Sequence, residues 1–424
     1  MKKGNTESHA EARSSRRESN PPPSALPAPP REKKSGWQTR TLGDVCAFDK
    51  TQGIHRGLPY VGLEHIESHT ARFIGSSEAL PVKSSTFRFS EEHVLYGRLR
   101  PYLNKALAPD FEGHCSTEIF PLKPIPELSR EYLLFWLLAD ETCDRINATC
   151  TGARMPRAQM NDVLGFEIPV PPLAEQQRIV GLLDEAFEGI ATAKANAEKN
   201  LQNARALFES HLQSVFTQRG PGWVETTLEE VLTVQPQNGW SPPAANHAAS
   251  GTPVLTLSSV TGFVFRPIKL KYTSAKTDPK ARYWIQNGDL LITRSNTPEL
   301  VGHVAIASGI EGPTIYPDLI MRMNPMPDRA LTKFLYYQLR TPELRTEIMG
   351  RAQGANPTMK KISNGAVKTL PISVPPIATQ QAIVAKLEVL TEETQRLACL
   401  YEQKLAALDA LKKSLLHQAF TGAL

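Results

Sequence analysis

The sequence predicts a duplicated α+β chain. Two mixed α/β modules each run into a long helix, and the two helices pack antiparallel, coiled-coil fashion, with pseudo-two-fold symmetry between the halves. Three observations carry this expectation. The same landmarks occur twice, in the same order. Each copy passes from short, punctuated apolar runs to a long stretch of helical periodicity. Each of those stretches opens on nearly the same words, "VPPLAEQQRIV" (170–180) and "VPPIATQQAIV" (374–384), with eight of eleven positions identical.

Residues 1–36 precede the first copy. They contain "NPPPSALPAPPREKKSG", rich in Pro, Ser and charge. Such a segment cannot bury enough apolar surface to order itself, so a disordered, basic, Pro-rich tail is expected. The first module, 37–172, opens on "WQTRTLGDV" (37–45), which returns as "WVETTLEEV" (223–231). Its runs "LPYVGLEHI", "HVLYGRLR" and "STEIFPLKP" are broken by Gly and Pro, as strands of a small mixed sheet are. "EYLLFWLLADET" reads as a short helix.

The first long helix is expected over 173–219. Apolar or small residues fall at Ile179, Leu183, Ala186, Ile190, Ala193, Ala197, Leu201, Ala204, Phe208 and Val215, in steps that keep them on one face. Proline is tolerated at a helix start and breaks an interior, so Pro171 and Pro172 fix where it begins. The second module, 220–376, repeats the strand texture in "TPVLTLSSV", "GDLLITR" and "DLIMRMNP" and the short helix in "ALTKFLYYQLRT". The landmarks drift apart along the chain, so the second copy carries loop insertions. The last helix is expected over 377–424, with Ile383, Leu387, Leu390, Leu397, Tyr401, Leu408, Leu411 and Leu415 on its face. About 42 residues give each helix a length of roughly 63 Å. Neither could hold such a seam in water alone. The intervening module brings the chain back, which favours antiparallel pairing.

The 424 residues suit two or three domains, and a 41% hydrophobic content is enough for real cores. No apolar run reaches membrane-spanning length, and "MKKGNTESHA" lacks the apolar stretch of a secretory signal, so a cytoplasmic soluble protein without membrane contact is expected. The five cysteines include no CxxC pair and are expected to be buried free thiols. The net charge of +5 misleads: the first 36 residues hold eight Lys/Arg against four Asp/Glu, which leaves +1 for the rest. Any nucleic-acid binding must then rest on local patches rather than a global field.

Catalytic signatures are missing. The dipeptide GK does not occur, which excludes a P-loop, and neither GxGxxG nor GxSxG is present. "NPPP" at Asn20 has the start of an adenine-methyltransferase motif, but it sits in the tail with no preceding strand and no aromatic after it. Pro317-Asp318 and the run Glu402 to Lys404 are too far apart, and too badly placed, for a nuclease pattern. The ten histidines give no pair suited to zinc. A binding or scaffolding chain without metal or cofactor is expected.

The doubled VPP segments opening long helices resemble the specificity subunit of type I restriction–modification systems. So do "TGARMPR" before the first of them, "STEIFPLKP", and the terminal "LKKSLLHQAFTGAL". The resemblance covers about residues 37–424. It implies two target-recognition domains (37–172 and 220–376) separated by two spacer helices. Each domain would read one half of a split double-stranded DNA target. Partner modification subunits would bind S-adenosylmethionine and methylate adenine. Restriction subunits would use ATP and Mg. A non-catalytic role for this chain agrees with the absence of catalytic motifs. The alternative is a coiled-coil interaction scaffold, or a degenerate specificity protein, without DNA-targeting activity.

Arginine can pair bidentately with guanine and asparagine with adenine. "YGRLRPYLNK" therefore offers Arg98, Arg100, Asn104 and Lys105, beside two tyrosines, as DNA contacts. At the matching point "TRSNTPE" offers Arg294, Ser295 and Asn296. Arg154 and Arg157 of "GARMPR", with Asn356, Lys360 and Lys361 of "ANPTMKK", are candidate phosphate contacts just before the helices. Against this stand an ordinary exposed loop, or Arg98 paired with a carboxylate. Gln52, His55, Arg56, Asn238 and Trp240 are further loop candidates. Glu175, Gln176, Gln177 and Arg178 are expected on a solvated helix face, open to a partner subunit.

Overall fold

The computed structural model describes residues 36–424 other than Pro81, Ala153 and Pro357. The expected disordered tail and its "NPPP" lie outside the described residues. The chain forms two compact units: one runs to Phe187 and takes in Leu411–Leu424, and the other is Glu188–Ala410.

In the first unit, Gln38–Thr41 pairs antiparallel with Glu167–Val170, Gln38 opposite Val170. The repeated Trp and VPP landmarks are thus the two edges of one ribbon that closes the module. A four-stranded antiparallel sheet follows in the order Cys46–Phe48, Ile119–Pro124, Val94–Gly97, Ala106–Leu107. A second sheet has the order Gln52–Gly53, Thr86–Phe89, Gly113–Cys115, Tyr60–Val61, its last pair parallel. Helix Arg130–Leu138 starts at Ser129, whose hydroxyl accepts from Tyr132 N. This cap satisfies one of the free N–H groups of the first turn. The helix buries Leu133, Phe135, Trp136 and Leu137 against the first sheet and against Ile179 and Leu183. Leu416 and Ala419 complete that core, and the Lys413–Asp140 ion pair (2.9 Å) and the His417–Glu141 contact (2.6 Å) lie beside it.

The second unit repeats this plan. Val224–Thr227 pairs antiparallel with Pro371–Val374. The four-stranded sheet has the same order, Leu232–Asn238, Ile320–Pro325, Leu290–Thr293, Val304–Ile306. The second sheet does not repeat: here it is His247–Ala248, Leu270–Thr273, Thr252–Leu255. Helices Thr332–Gln338 and Pro342–Arg351 cover the core. The four-stranded sheet is therefore the common frame, and the modules diverge in what is attached to it.

The long helices are Leu173–Thr217 and Ile377–Thr421, 45 residues each. Within the second unit, Lys194 meets Asp409 at 2.7 Å and Arg205 meets Glu402 at 2.9 Å. Numbers rise on one helix as they fall on the other, so the pairing is antiparallel. Phe208, Leu212, Phe216, Val384 and Leu387 pack there with Phe334 and Tyr337. Of the expected faces, Ile179, Leu183, Ile190, Ala197, Ala204, Phe208 and Leu387 are buried, and the others are half-buried apart from Leu411. Leu411 departs from this and is 46% exposed, while Leu212, Phe216, Val384, Leu416 and Ala419 are buried though the periodicity did not single them out.

Among the cysteines, Cys46, Cys115 and Cys143 are buried free thiols. Cys150 is half-buried and Cys399 exposed, against expectation. Among the described residues no helix is long and apolar enough to cross a membrane.

Candidate nucleic-acid interface

In each unit a central strand of the four-stranded sheet ends on the candidate loop. After Val94–Gly97, Arg98 N donates to Glu118 O at 2.8 Å, and Ala158 N donates to Arg98 O at 2.9 Å. After Leu290–Thr293, Arg294 N donates to Leu319 O at 2.8 Å, and Ile362 N donates to Arg294 O at 3.0 Å. The segment just before each long helix is therefore laid beside the loop. Leu99 bridges Arg157, and Arg100 N donates to Pro156 O at 2.8 Å. In the second unit Ser295 and Asn296 pair with Lys361 and Lys360. The loop and pre-helix candidates, distant in sequence, are one face in each module.

The side chains on the two faces differ. In the first module, Arg157 Nε donates to both oxygens of Glu118 at 2.9 and 3.0 Å, and its Nη2 lies 2.9 Å from Oε1. The Glu118 carboxylate holds the Arg157 guanidinium above its ordinary pKa, through the hydrogen bond and the opposite charge. Arg98 Nε lies 3.9 Å from the same carboxylate, and its guanidinium rests over the Phe120 ring at 5.3 Å. Arg100, Tyr102, Arg154 and Met155 stand exposed around this group. In the second module Leu319 occupies the place of Glu118. Arg294 has only a 3.4 Å contact from Nη1 to Asp318 O, and its Nε, like that of Arg98, is buried without a hydrogen-bond partner among the described residues. Lys360 Nζ donates to Gly354 O at 2.8 Å, while Lys361, Asn356 and Met359 are exposed.

Several candidates move off the face. Asn104 is fully buried; its amide donates to Leu138 O at 3.0 Å, so it has no free edge for a base. It stands at φ +42°, matching Gly302 at +73° in the second copy: a left-handed turn residue. Lys105 Nζ donates to Leu63 O at 2.6 Å and folds back on its own module. Ser295 is 1% exposed and cannot reach DNA. Asn296 is half-buried, its amide 3.2 Å from Thr261 Oγ1. Trp240 is stacked on Tyr283 at 5.1 Å, and His55 is half-buried near His114, whereas Gln52, Arg56 and Asn238 are exposed.

The helix face also needs correction. Gln177 is exposed and Glu175 pairs with Arg178 at 2.7 Å. Gln176, however, is fully buried. Its Oε1 accepts from Ser129 N at 2.7 Å, and its Nε2 donates to Glu127 O and Pro171 O at 2.8 Å each. Gln380 does the same with Leu331 N, Arg329 O and Pro375 O. The repeated glutamine locks each long helix to its module.

His303 stands in the second module where Lys105 stands in the first. Its Nδ1 accepts from Gly262 N at 2.9 Å and its Nε2 lies 3.1 Å from Glu299 O. Burial first, then the neighbouring Arg345 cation, push its pKa down to about 4. Asp318 is tied to Ser241 and Glu402 to Arg205, on separate elements, so they form no nuclease site. His65 and His69 are four apart in "HIESH" but lie on a turn, where His65 Nδ1 is 3.1 Å from Gly62 N. Among the described residues no group of three or more His, Cys, Asp or Glu could hold a metal.

A family model for the type I restriction modification DNA specificity domain matches residues 34–202 and again 221–401. The chain belongs to this family. The two matches fall on the two copies of the module and run into the long helices. Among relatives of this specificity-domain family, the chain is 26% identical over 294 residues to the type I restriction enzyme EcoKI specificity subunit of Escherichia coli K12. That stretch is 66% of this chain and 62% of the relative. It is 28% identical over 176 residues to the EcoDI specificity subunit of Escherichia coli, 41% of this chain and 38% of the relative. The chain thus spans less than two thirds of either relative's length in these matches. A solved chain from work on complex assembly and conformational transition of the type I R-M system has a TM-score of 0.77 at 23% identity. It covers 93% of this chain and 100% of that one. The HsdS subunit from Thermoanaerobacter tengcongensis gives 0.61 at 22%, covering 93% and 99%. At these identities the likeness is one of fold.

Sequence reading had not picked out Glu118. The signal was present in "STEIFPLKP": Glu118 stands just before the strand, where the matching position in "DLIMRMNP" is Leu319.

Proposed function

We propose that the chain is the DNA-recognition subunit of a type I restriction–modification complex. The target-recognition domains are 37–172 and 220–376, and the helices over 173–219 and 377–424 serve as spacers. Each domain reads one half of a bipartite double-stranded target and positions partner adenine-methyltransferase and restriction subunits in the cytoplasm. This chain carries no catalytic group or cofactor in this reading. S-adenosylmethionine, ATP and Mg act in the partner subunits.

The observation that carries the reading is the repeated face. In both modules the same backbone pairing sets cationic side chains from two distant segments side by side on the same frame. Phosphate contacts fix register and base-edge contacts supply sequence, and Arg and Lys serve both. Because the side chains differ between copies, the two half-sites should differ too. The test is methylome sequencing of cells with the modification partner, with and without this chain. A bipartite adenine-methylation pattern that appears only with the chain supports the proposal. Methyl transfer by the purified chain alone, or no change in the methylome, overturns it.

A further inference from the structure

We infer that Glu118 sets how the first module reads its half-site. It clamps Arg157, with Arg98 3.9 Å away beside the same carboxylate, so that the pair is directed at base edges and phosphates are turned away. The second module, with Leu319 in that place, uses Arg294 and Lys361 to grip the backbone. The inference rests on the proposed role as DNA-recognition subunit.

The Glu118 carboxylate is 27% exposed and bonds Arg157 through both oxygens, while the Arg98 guanidinium lies over the Phe120 ring beside it. The main-chain groups of Glu118 already serve the fold: its carbonyl accepts from Arg98 N, and its N–H donates to Ser116 Oγ at 3.2 Å. The carboxylate itself is left for the arginines. A guanidinium clamped along one edge presents its remaining donors in a fixed direction, as bidentate pairing to guanine requires. The carboxylate also repels phosphate and cancels one of the two positive charges. In the second module neither Arg294 nor Lys361 forms an ion pair among the described residues, and Arg294 meets Asp318 only at its backbone oxygen. Cations without a carboxylate partner follow the phosphates, whose neutralisation releases counterions and makes affinity depend on salt.

The experiment uses the full chain with its modification partner. It measures binding to a random-sequence duplex across salt concentrations, and the methylome of each variant. Glu118→Gln should raise affinity for the random duplex several-fold at low salt and steepen the log–log salt slope by up to about one. The half-site read by the first module should become degenerate and the other stay unchanged, while Glu118→Asp should restore the preference. Lys361→Gln should make the slope shallower by about one and leave both half-site sequences intact. A folded Glu118→Gln protein with an unaltered slope and an unaltered first half-site overturns the inference. If Glu118→Gln does not fold, Leu319→Glu decides: it should lower random-duplex affinity, and an unchanged affinity overturns the inference. A wild-type complex that gives no bipartite methylation would instead refute the subunit reading.

Discussion

Gln176 and Gln380 explain why the helix start is written twice. Each buried side chain satisfies three backbone groups at the junction of helix and module. Alanine would leave those groups unpaired, at about 1–3 kcal/mol for each that water cannot reach. Gln176→Ala should therefore lower stability by roughly 2–4 kcal/mol, and Gln177→Ala, on the exposed side, by less than about 0.5 kcal/mol. Chemical denaturation of the full chain checks the contrast. His303 gives a pH dependence. Its folded pKa of about 4 lies below the ordinary imidazole value, so the folded chain binds fewer protons than the unfolded one. Its contribution is present above about pH 6.5 and is lost as pH falls toward 4. Unfolding free energy should drop over that window, and His303→Gln should flatten the drop; equal pH profiles would count against it. At this scale sequence reading misses burial. Asn104 looks like a polar tip in a basic loop, and only its alignment with Gly302 betrays a left-handed turn. Gln176 looks solvated, and only its exact repetition suggests a fixed partner.

The long helices show which effect dominates their packing. Phe208 is buried against Tyr337, with ring centroids 6.2 Å apart, under the Arg340 cation. The Arg205–Glu402 pair is more than half exposed on both sides. Phe208→Ala should cost about 3–5 kcal/mol, whereas Arg205→Ala should cost no more than about 0.5 kcal/mol at ordinary salt. Thermal melts of the two variants test this, and comparable losses would contradict it. Helix starts and faces were legible because proline punctuation and a 3.6-residue period are strong local signals. The stripe is wider than the seam, because each helix packs on its module as well as on its partner. That is why Leu212 and Phe216 escaped notice. The second sheets were not legible as such. Strands as short as Gln52–Gly53 or Tyr60–Val61 show too few residues for a period of two to register.

For the whole chain, duplication is the central feature, and it was readable because landmark order survives where loop sequence does not. The proposed spacer role can be probed by adding one heptad at Ala197. The ion pairs Lys194–Asp409 and Arg205–Glu402 put the facing stretch of the second helix within 402–409, so a second heptad belongs there. Each heptad adds about 10.5 Å, or about three base pairs of B-form duplex, and should lengthen the gap without altering either half-site. The claim of two independent readers on one frame is tested most directly by module exchange. Residues 37–169 are replaced by the equivalent domain of a relative of known target, and the methylome of cells carrying the hybrid with its modification partner is sequenced. One half-site should change to that of the donor while the other half and the gap persist. A hybrid in which both halves change, or neither does, would contradict the account.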